Sequence, residues 1–111
     1  GCGRLFEGTP EEMWRALQTL RALPDETSIY CAHEYTKDNA RFWKSIEPNH
    51  PDIEKVIKQL NVPTIPSTIG FEKKYNPFLR ADDADLANAL EIEGQTPDQR
   101  FKYIRERKDS F

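Results

Sequence analysis

One short β-prone run stands among several amphipathic helical patterns, and this combination limits the possible folds most strongly. The run covers residues 27–32 (TSIYCA) and is typical of a buried strand that follows a helix through a tight turn. A single strand cannot satisfy its own backbone hydrogen-bonding groups, because strands need neighbours in a sheet. The sequence therefore predicts that the rest of the sheet comes from sequence before Gly1 or from another chain.

Apolar residues at helical spacing account for most of the remaining sequence. Two starts are marked by a threonine followed by proline, with Glu12 or Gln99 placed to complete a capping box. The predicted helices run from Thr9-Pro10 to before Leu23, from Thr36 to before Pro48, from about Pro51 to Leu60, from about Asp83 to Glu93 with Gly94 at its end, and from Thr96-Pro97 toward Lys108. Residues 62–70, which contain Pro63 and Pro66, are expected to form an extended, irregular connection, and the region from there through Tyr75-Asn76-Pro77-Phe78 is expected to be a packed loop.

The composition excludes several classes of protein. The net charge of −3 gives no general footprint for nucleic acid or for an anionic membrane, and no apolar run is long enough to span a bilayer. Aromatic residues make up 11% of the sequence, which argues against disorder. Two cysteines are too few for a disulfide-built secreted domain, so a reduced, cytoplasmic setting is the simpler interpretation.

Two groups of residues are candidates for chemistry. His33 follows the predicted strand, where ligands and catalytic residues often lie in layered α/β proteins, but no second ligand is near it in sequence. From spacing alone, a hydrogen-bonded histidine is therefore favoured over a metal ligand. His50 is expected to be a loop or helix-start residue, and Cys31 a buried apolar residue of the strand.

The basic end of the sequence is the second candidate. Arg105 and Lys108 are three residues apart, so on a helix they share a face and can close on a carboxylate or a phosphate. The alternative is a solvated helix end whose cations complement the helix dipole, and the spacing alone favours that alternative.

Four segments together resemble the glyoxalase II family, the hydroxyacylglutathione hydrolases of the metallo-β-lactamase superfamily. The segments are GCGRLFEGT at residues 1–9, CAHEYT at 31–36, NPFLR at 76–80 and RERKDSF at 105–111. Their order and separations match as well, and the similarity covers essentially the whole chain. Each motif alone is weak, and the combination is specific.

The resemblance implies an α/β chain that is mostly helical, the end of an αββα sandwich followed by a helical domain. Residues 1–35 then belong to the metallo-β-lactamase-like domain, and residues 36–111 form the glutathione-binding domain. The activity implied is hydrolysis of the thioester S-D-lactoylglutathione to glutathione and D-lactate, in methylglyoxal detoxification. The expected partners are this substrate and the N-terminal metallo-β-lactamase lobe, with no nucleic acid and no membrane.

The resemblance also assigns roles to individual residues. His33 matches a metal ligand, and Tyr35, Arg105 and Lys108 match substrate-binding positions, the two cations serving the glutathione carboxylate. Arg4 matches a basic position near the substrate, and Phe6 a position where some members have tyrosine, so that a hydroxyl contact is lost there.

The cofactor implied is a dinuclear metal site, zinc first and iron or manganese otherwise, that activates a water molecule. The family's other metal ligands lie upstream of this sequence, so no catalytic residue is assigned here, and the 111 residues alone are expected to be inactive. Two alternatives stay open: a related thioesterase with another substrate, and a non-catalytic helical module that binds glutathione.

Overall fold

The described part of the chain is mostly helical, as the sequence predicts. A computed structural model describes residues 8–31, 33–60 and 66–111. The elements in chain order are α1 (Pro10–Arg21), β1 (Ser28–Ile29), α2 (Thr36–Ile46), α3 (Ile53–Gln59), β2 (Ser67–Thr68), α4 (Ile69–Tyr75), a 3₁₀ turn (Pro77–Leu79), α5 (Ala84–Ala89) and α6 (Pro97–Asp109).

Side-chain caps explain why the first and the last helix, α1 and α6, begin where the sequence predicts. The Thr9 hydroxyl accepts a hydrogen bond from the Glu12 amide at 3.2 Å at the start of α1. The predicted capping box of α6 is complete, since Thr96 and Gln99 each accept a hydrogen bond from the other's amide. α2 begins at Thr36, as the sequence predicts, and its N-cap residue Tyr35 makes no side-chain capping hydrogen bond.

The predicted lone strand was wrong in its length and in its partner. β1 is two residues long and pairs antiparallel with β2, so its sheet neighbour lies within the chain itself. Pro66 does not prevent this pairing, because it precedes the first residue of β2 and donates no ladder hydrogen bond there. Cys31 lies beyond β1 and is half-buried, rather than being a buried strand residue.

Two further predictions were wrong in their boundaries. The expected irregular connection and packed loop contain β2 and α4, because the Thr68 hydroxyl accepts a hydrogen bond from the Phe71 amide at 3.2 Å and starts a helix. The helix expected from Asp83 to Glu93 is the shorter α5. It ends at Ala89 because Glu91 has a φ of 58°, which is left-handed backbone that a helix cannot continue through.

Two apolar clusters hold the helices together. The larger one joins α1, α2, the 3₁₀ turn, α5 and α6, and the smaller one joins α2 and α3 with α4 at its edge. The most deeply buried large side chains of the larger cluster are Trp14, Phe42, Phe78, Phe101, Leu86 and Ile104. α6 packs on α1 and on the 3₁₀ turn, and these contacts set its position relative to them.

Candidate functional site

One face of α2 is exposed at its N-terminal end and buried further along the helix. Tyr35, Asp38 and Phe42 follow at spacings of three and four, so they share one face of the helix. Tyr35 at the N-terminal end is 40% exposed, whereas Phe42 is fully buried. The N-terminal end of α2 therefore presents a phenol and a carboxylate above an aromatic floor.

The matching face of α6 carries the two predicted cations. Phe101, Arg105 and Lys108 recur at spacings of four and three, and their exposure rises from the fully buried ring to the half-buried lysine. The face therefore leads from the core to the surface, and its cations occupy the last two turns of the helix. Cations also interact favourably with the helix dipole there.

Arg105 is a buried cation with a fixed orientation. Its side chain is 4% exposed, and its guanidinium carbon lies 4.5 Å from the centroid of the Phe78 ring. Its Nε and Nη2 atoms lie 3.1 and 2.9 Å from the same carboxylate oxygen of Asp109, one turn further along α6. The guanidinium is thus held by an aromatic face and by its own helix.

Lys108 instead connects α6 to α2. Its Nζ donates a hydrogen bond to Oδ2 of Asp38 at 2.5 Å and lies 5.8 Å from the centroid of the Phe111 ring. Phe111 in turn contacts Phe42 with ring centroids 5.7 Å apart. The contact between Lys108 and Asp38 brings the basic last turn of α6 to the start of α2, which carries Tyr35.

His33 lies next to the same helix start. It is exposed, and its ring centroid lies 5.4 Å from that of Tyr35. Within residues 8–31, 33–60 and 66–111 no group of three or more histidine, cysteine, aspartate or glutamate side chains is arranged to hold a metal ion.

The sites predicted at Arg4 and Phe6 lie outside the described residues. His50 is a loop residue, whose Nδ1 accepts a hydrogen bond from the Asp52 amide at 3.1 Å.

The geometry thus connects Lys108 to the N-terminal end of α2, where Tyr35 and His33 lie, and holds Arg105 one turn earlier on the same face of α6. Two cations on one face of a helix can bind a carboxylate and orient it. The described residues of this site offer binding groups rather than a nucleophile activated by a base.

Comparison with known proteins identifies the family. The family model described as "Hydroxyacylglutathione hydrolase C-terminus" matches residues 34–111. The chain belongs to this family. The hydroxyacylglutathione hydrolase of Maricaulis maris is 52% identical over the whole chain, that of Synechococcus sp. is 49% identical, and that of Bartonella henselae is 47% identical. The chain matches the C-terminal region of these hydrolases and spans about half of their length, 46% for the Maricaulis protein.

Three residues that contact the predicted cations were not predicted from the sequence as part of the site. Asp109 could have been found, because it lies four residues after Arg105 on a predicted helix. Phe78 belongs to a recognised motif but has no sequence pattern that points to Arg105. Asp38 is separated from Lys108 by 70 residues, and only the fold reveals the pair.

No helix in the described residues is long and apolar enough to cross a membrane.

Proposed function

We propose that this chain is the substrate-binding C-terminal part of an enzyme that hydrolyses S-D-lactoylglutathione to glutathione and D-lactate. The observation that carries the proposal is the hydrogen bond from Lys108 of α6 to Asp38 in the first turn of α2. The same helix start carries Tyr35, whose ring contacts that of His33. Family membership supports the same reaction, since the relatives are named hydroxyacylglutathione hydrolases.

In this proposal, Arg105 and Lys108 bind a carboxylate of the glutathione portion, and the Tyr35 hydroxyl donates a further hydrogen bond. Arg4 and Phe6 are proposed to lie on the same substrate-binding surface. Binding of the tripeptide portion, away from the thioester, would hold the reacting carbonyl in a fixed orientation. The binding energy of the tripeptide would in this way assist the reaction. Arg105 suits this role because its guanidinium is already immobilised on Phe78 and therefore loses little freedom on binding.

The proposed metal centre needs more ligands than the described residues provide. His33 is proposed as one ligand, but the described residues offer no cluster that could hold a metal ion on their own. We propose that residues 1–35 complete a metallo-β-lactamase-like domain, which supplies the remaining ligands for zinc, or for iron or manganese, and that residues 36–111 form the glutathione-binding domain. The cytoplasm is the proposed location, because two cysteines do not indicate a secreted disulfide framework.

The test is steady-state hydrolysis of S-D-lactoylglutathione by the complete enzyme, meaning this chain joined to the metal-binding domain proposed for it. We expect turnover that depends on the metal and that is lost when the substrate is a lactoyl thioester of a neutral thiol. The 111 residues alone, supplied with zinc, are expected to show no hydrolysis. Equal turnover of both thioesters by the complete enzyme, or enzyme-level turnover by the chain alone, would contradict the proposal.

A further inference from the structure

Lys108 already has a carboxylate partner. Its Nζ lies 2.5 Å from Oδ2 of Asp38, and the lysine side chain is 14% exposed while that of Asp38 is 53% exposed. The ammonium is therefore largely withdrawn from water, and Asp38 presents it with the same functional group that the proposed substrate carries.

An incoming carboxylate meets two effects at this position. It must share or replace the hydrogen bond that Asp38 accepts from Lys108, and it is repelled by the negative charge of Asp38 a few ångströms away. Arg105 is likewise paired with Asp109, so the four described groups carry two positive and two negative formal charges. The cations therefore attract a substrate carboxylate less strongly than two unpaired cations would.

We propose that Asp38 is an affinity-setting residue, an internal carboxylate that competes with the substrate carboxylate for Lys108 and raises KM. This inference rests on the proposed function of Lys108. Asp38 does not act on the thioester, so its effect belongs to binding of the glutathione portion and not to the chemical step.

The substitution Asp38→Asn separates competition from simple tethering. Asparagine keeps a side-chain oxygen in the first turn of α2 that can accept a hydrogen bond from Lys108, but it removes the negative charge. If Asp38 served only to hold Lys108 in place, the change would leave KM unchanged or raise it. If Asp38 competes with the substrate, the change lowers KM.

The experiment compares wild type with Asp38→Asn in the complete enzyme, using S-D-lactoylglutathione as substrate and glutathione as competitive inhibitor. We expect KM and the inhibition constant of glutathione to fall together by about two- to fivefold, as for other partly exposed ion pairs. The value of kcat is expected to stay within about twofold, since the chemical step is untouched.

The matched control is Glu54→Gln. Glu54 is paired with Lys44 at 2.6 Å between exposed side chains of α3 and α2, so the same charge is removed from a surface pair that is not part of the proposed site. KM should not change in this variant. An unchanged or raised KM in Asp38→Asn, with wild type active, overturns the role of Asp38. A wild type that does not hydrolyse S-D-lactoylglutathione overturns the proposed function instead.

Discussion

Arg105 and Lys108 lie three residues apart on one helix, yet their surroundings differ. Arg105 is held by its own helix and by the core, through Asp109 and the Phe78 ring. Lys108 is held by a different helix, through Asp38. Truncation of Arg105 therefore removes packing on Phe78 along with charge, whereas changes at Lys108 and Asp38 mainly alter the charge between α6 and α2 and give the clearer test of binding.

Asp82 offers a residue-scale prediction on pH. The hydrogen bonds from Arg21, at 2.6 and 2.7 Å, hold the pKa of the Asp82 carboxyl below its ordinary value of 3.8. A carboxyl whose pKa is lowered by folding stabilises the folded state above its unfolded pKa, and this contribution disappears as the pH falls through the lower folded pKa. Asp82→Asn should therefore cost about 0.5–1 kcal/mol at pH 7, a modest amount because the pair is partly exposed.

The measurement is urea unfolding of wild type and Asp82→Asn at a series of pH values. The difference in free energy of unfolding should be constant from pH 7 down to about pH 5 and should narrow as the pH falls through the ordinary pKa of 3.8. A difference that stays the same in acid would show that Arg21 does not stabilise the Asp82 carboxylate.

The residues of the site could be named from the sequence only as a set of motifs. The spacing of Arg105 and Lys108 predicted a shared face, and the structure places them on one face of α6. Spacing could not distinguish a binding site from a solvated helix end, because that difference depends on Phe78 and Asp38, which reach the cations only through tertiary packing. The roles of Tyr35 and His33 came from the family resemblance and stay predictions.

At the scale of elements, the end of α5 shows a conformation that its sequence does not favour. The Ile92 amide donates to the Ala87 carbonyl at 2.9 Å and the Glu91 amide to the Asn88 carbonyl at 3.1 Å, which is a Schellman motif. The residue in the left-handed position of this motif is usually glycine, but here it is Glu91, with a φ of 58°.

We therefore predict that Glu91→Gly stabilises the domain by about 0.5–1 kcal/mol. Relief of left-handed strain should exceed the entropy that glycine adds to the unfolded chain. The measurement is the free energy of unfolding by urea titration. The control is Glu93→Gly, two residues along in the same exposed segment, where φ is not positive and glycine should lower stability slightly. A loss of stability in Glu91→Gly would show that the left-handed backbone at Glu91 costs less free energy than glycine adds in entropy to the unfolded chain.

Helix starts were predicted better than helix ends and short strands. Thr9 and Thr96 mark their helices because a cap, a proline and an acidic or amide residue act within four residues. The start of α4 has only Thr68, directly after a proline-containing segment, and the signal was missed. β1 and β2 are stabilised by pairing with each other across a long separation in sequence, and a local pattern contains no information on that pairing.

At the scale of the whole molecule, a buried ion pair joins the end of α2 to the segment before α5. Arg80 donates to Glu47 at 2.8 and 3.3 Å and to Asp83 at 3.1 Å, and the Trp43 indole donates to Glu47 at 2.7 Å. Burial opposes the charge of Arg80, but hydrogen bonds and the charges of Glu47 and Asp83 outweigh it, so the pKa of Arg80 is raised.

Glu47→Gln is predicted to lower the free energy of unfolding by about 2–3 kcal/mol. Removal of one member of a buried pair leaves the other charge poorly compensated, and Arg80 then retains only Asp83. Glu54→Gln, the same change at a solvent-exposed pair, should alter the free energy of unfolding far less. Equal effects of the two changes in urea unfolding would show that the buried pair does not connect these segments.

The most direct test of the proposed binding role is a thermodynamic cycle that combines the substitution of Lys108 with the removal of each carboxylate of the substrate in turn. KM of the complete enzyme is measured for wild type and Lys108→Ala, with S-D-lactoylglutathione and with two analogues in which each glutathione carboxylate in turn is an amide. We predict that Lys108→Ala raises KM about tenfold for the natural substrate, and that for one analogue the same substitution has no effect, because its partner group is already gone. If Lys108→Ala raised KM equally for the substrate and for both analogues, Lys108 would not bind a substrate carboxylate.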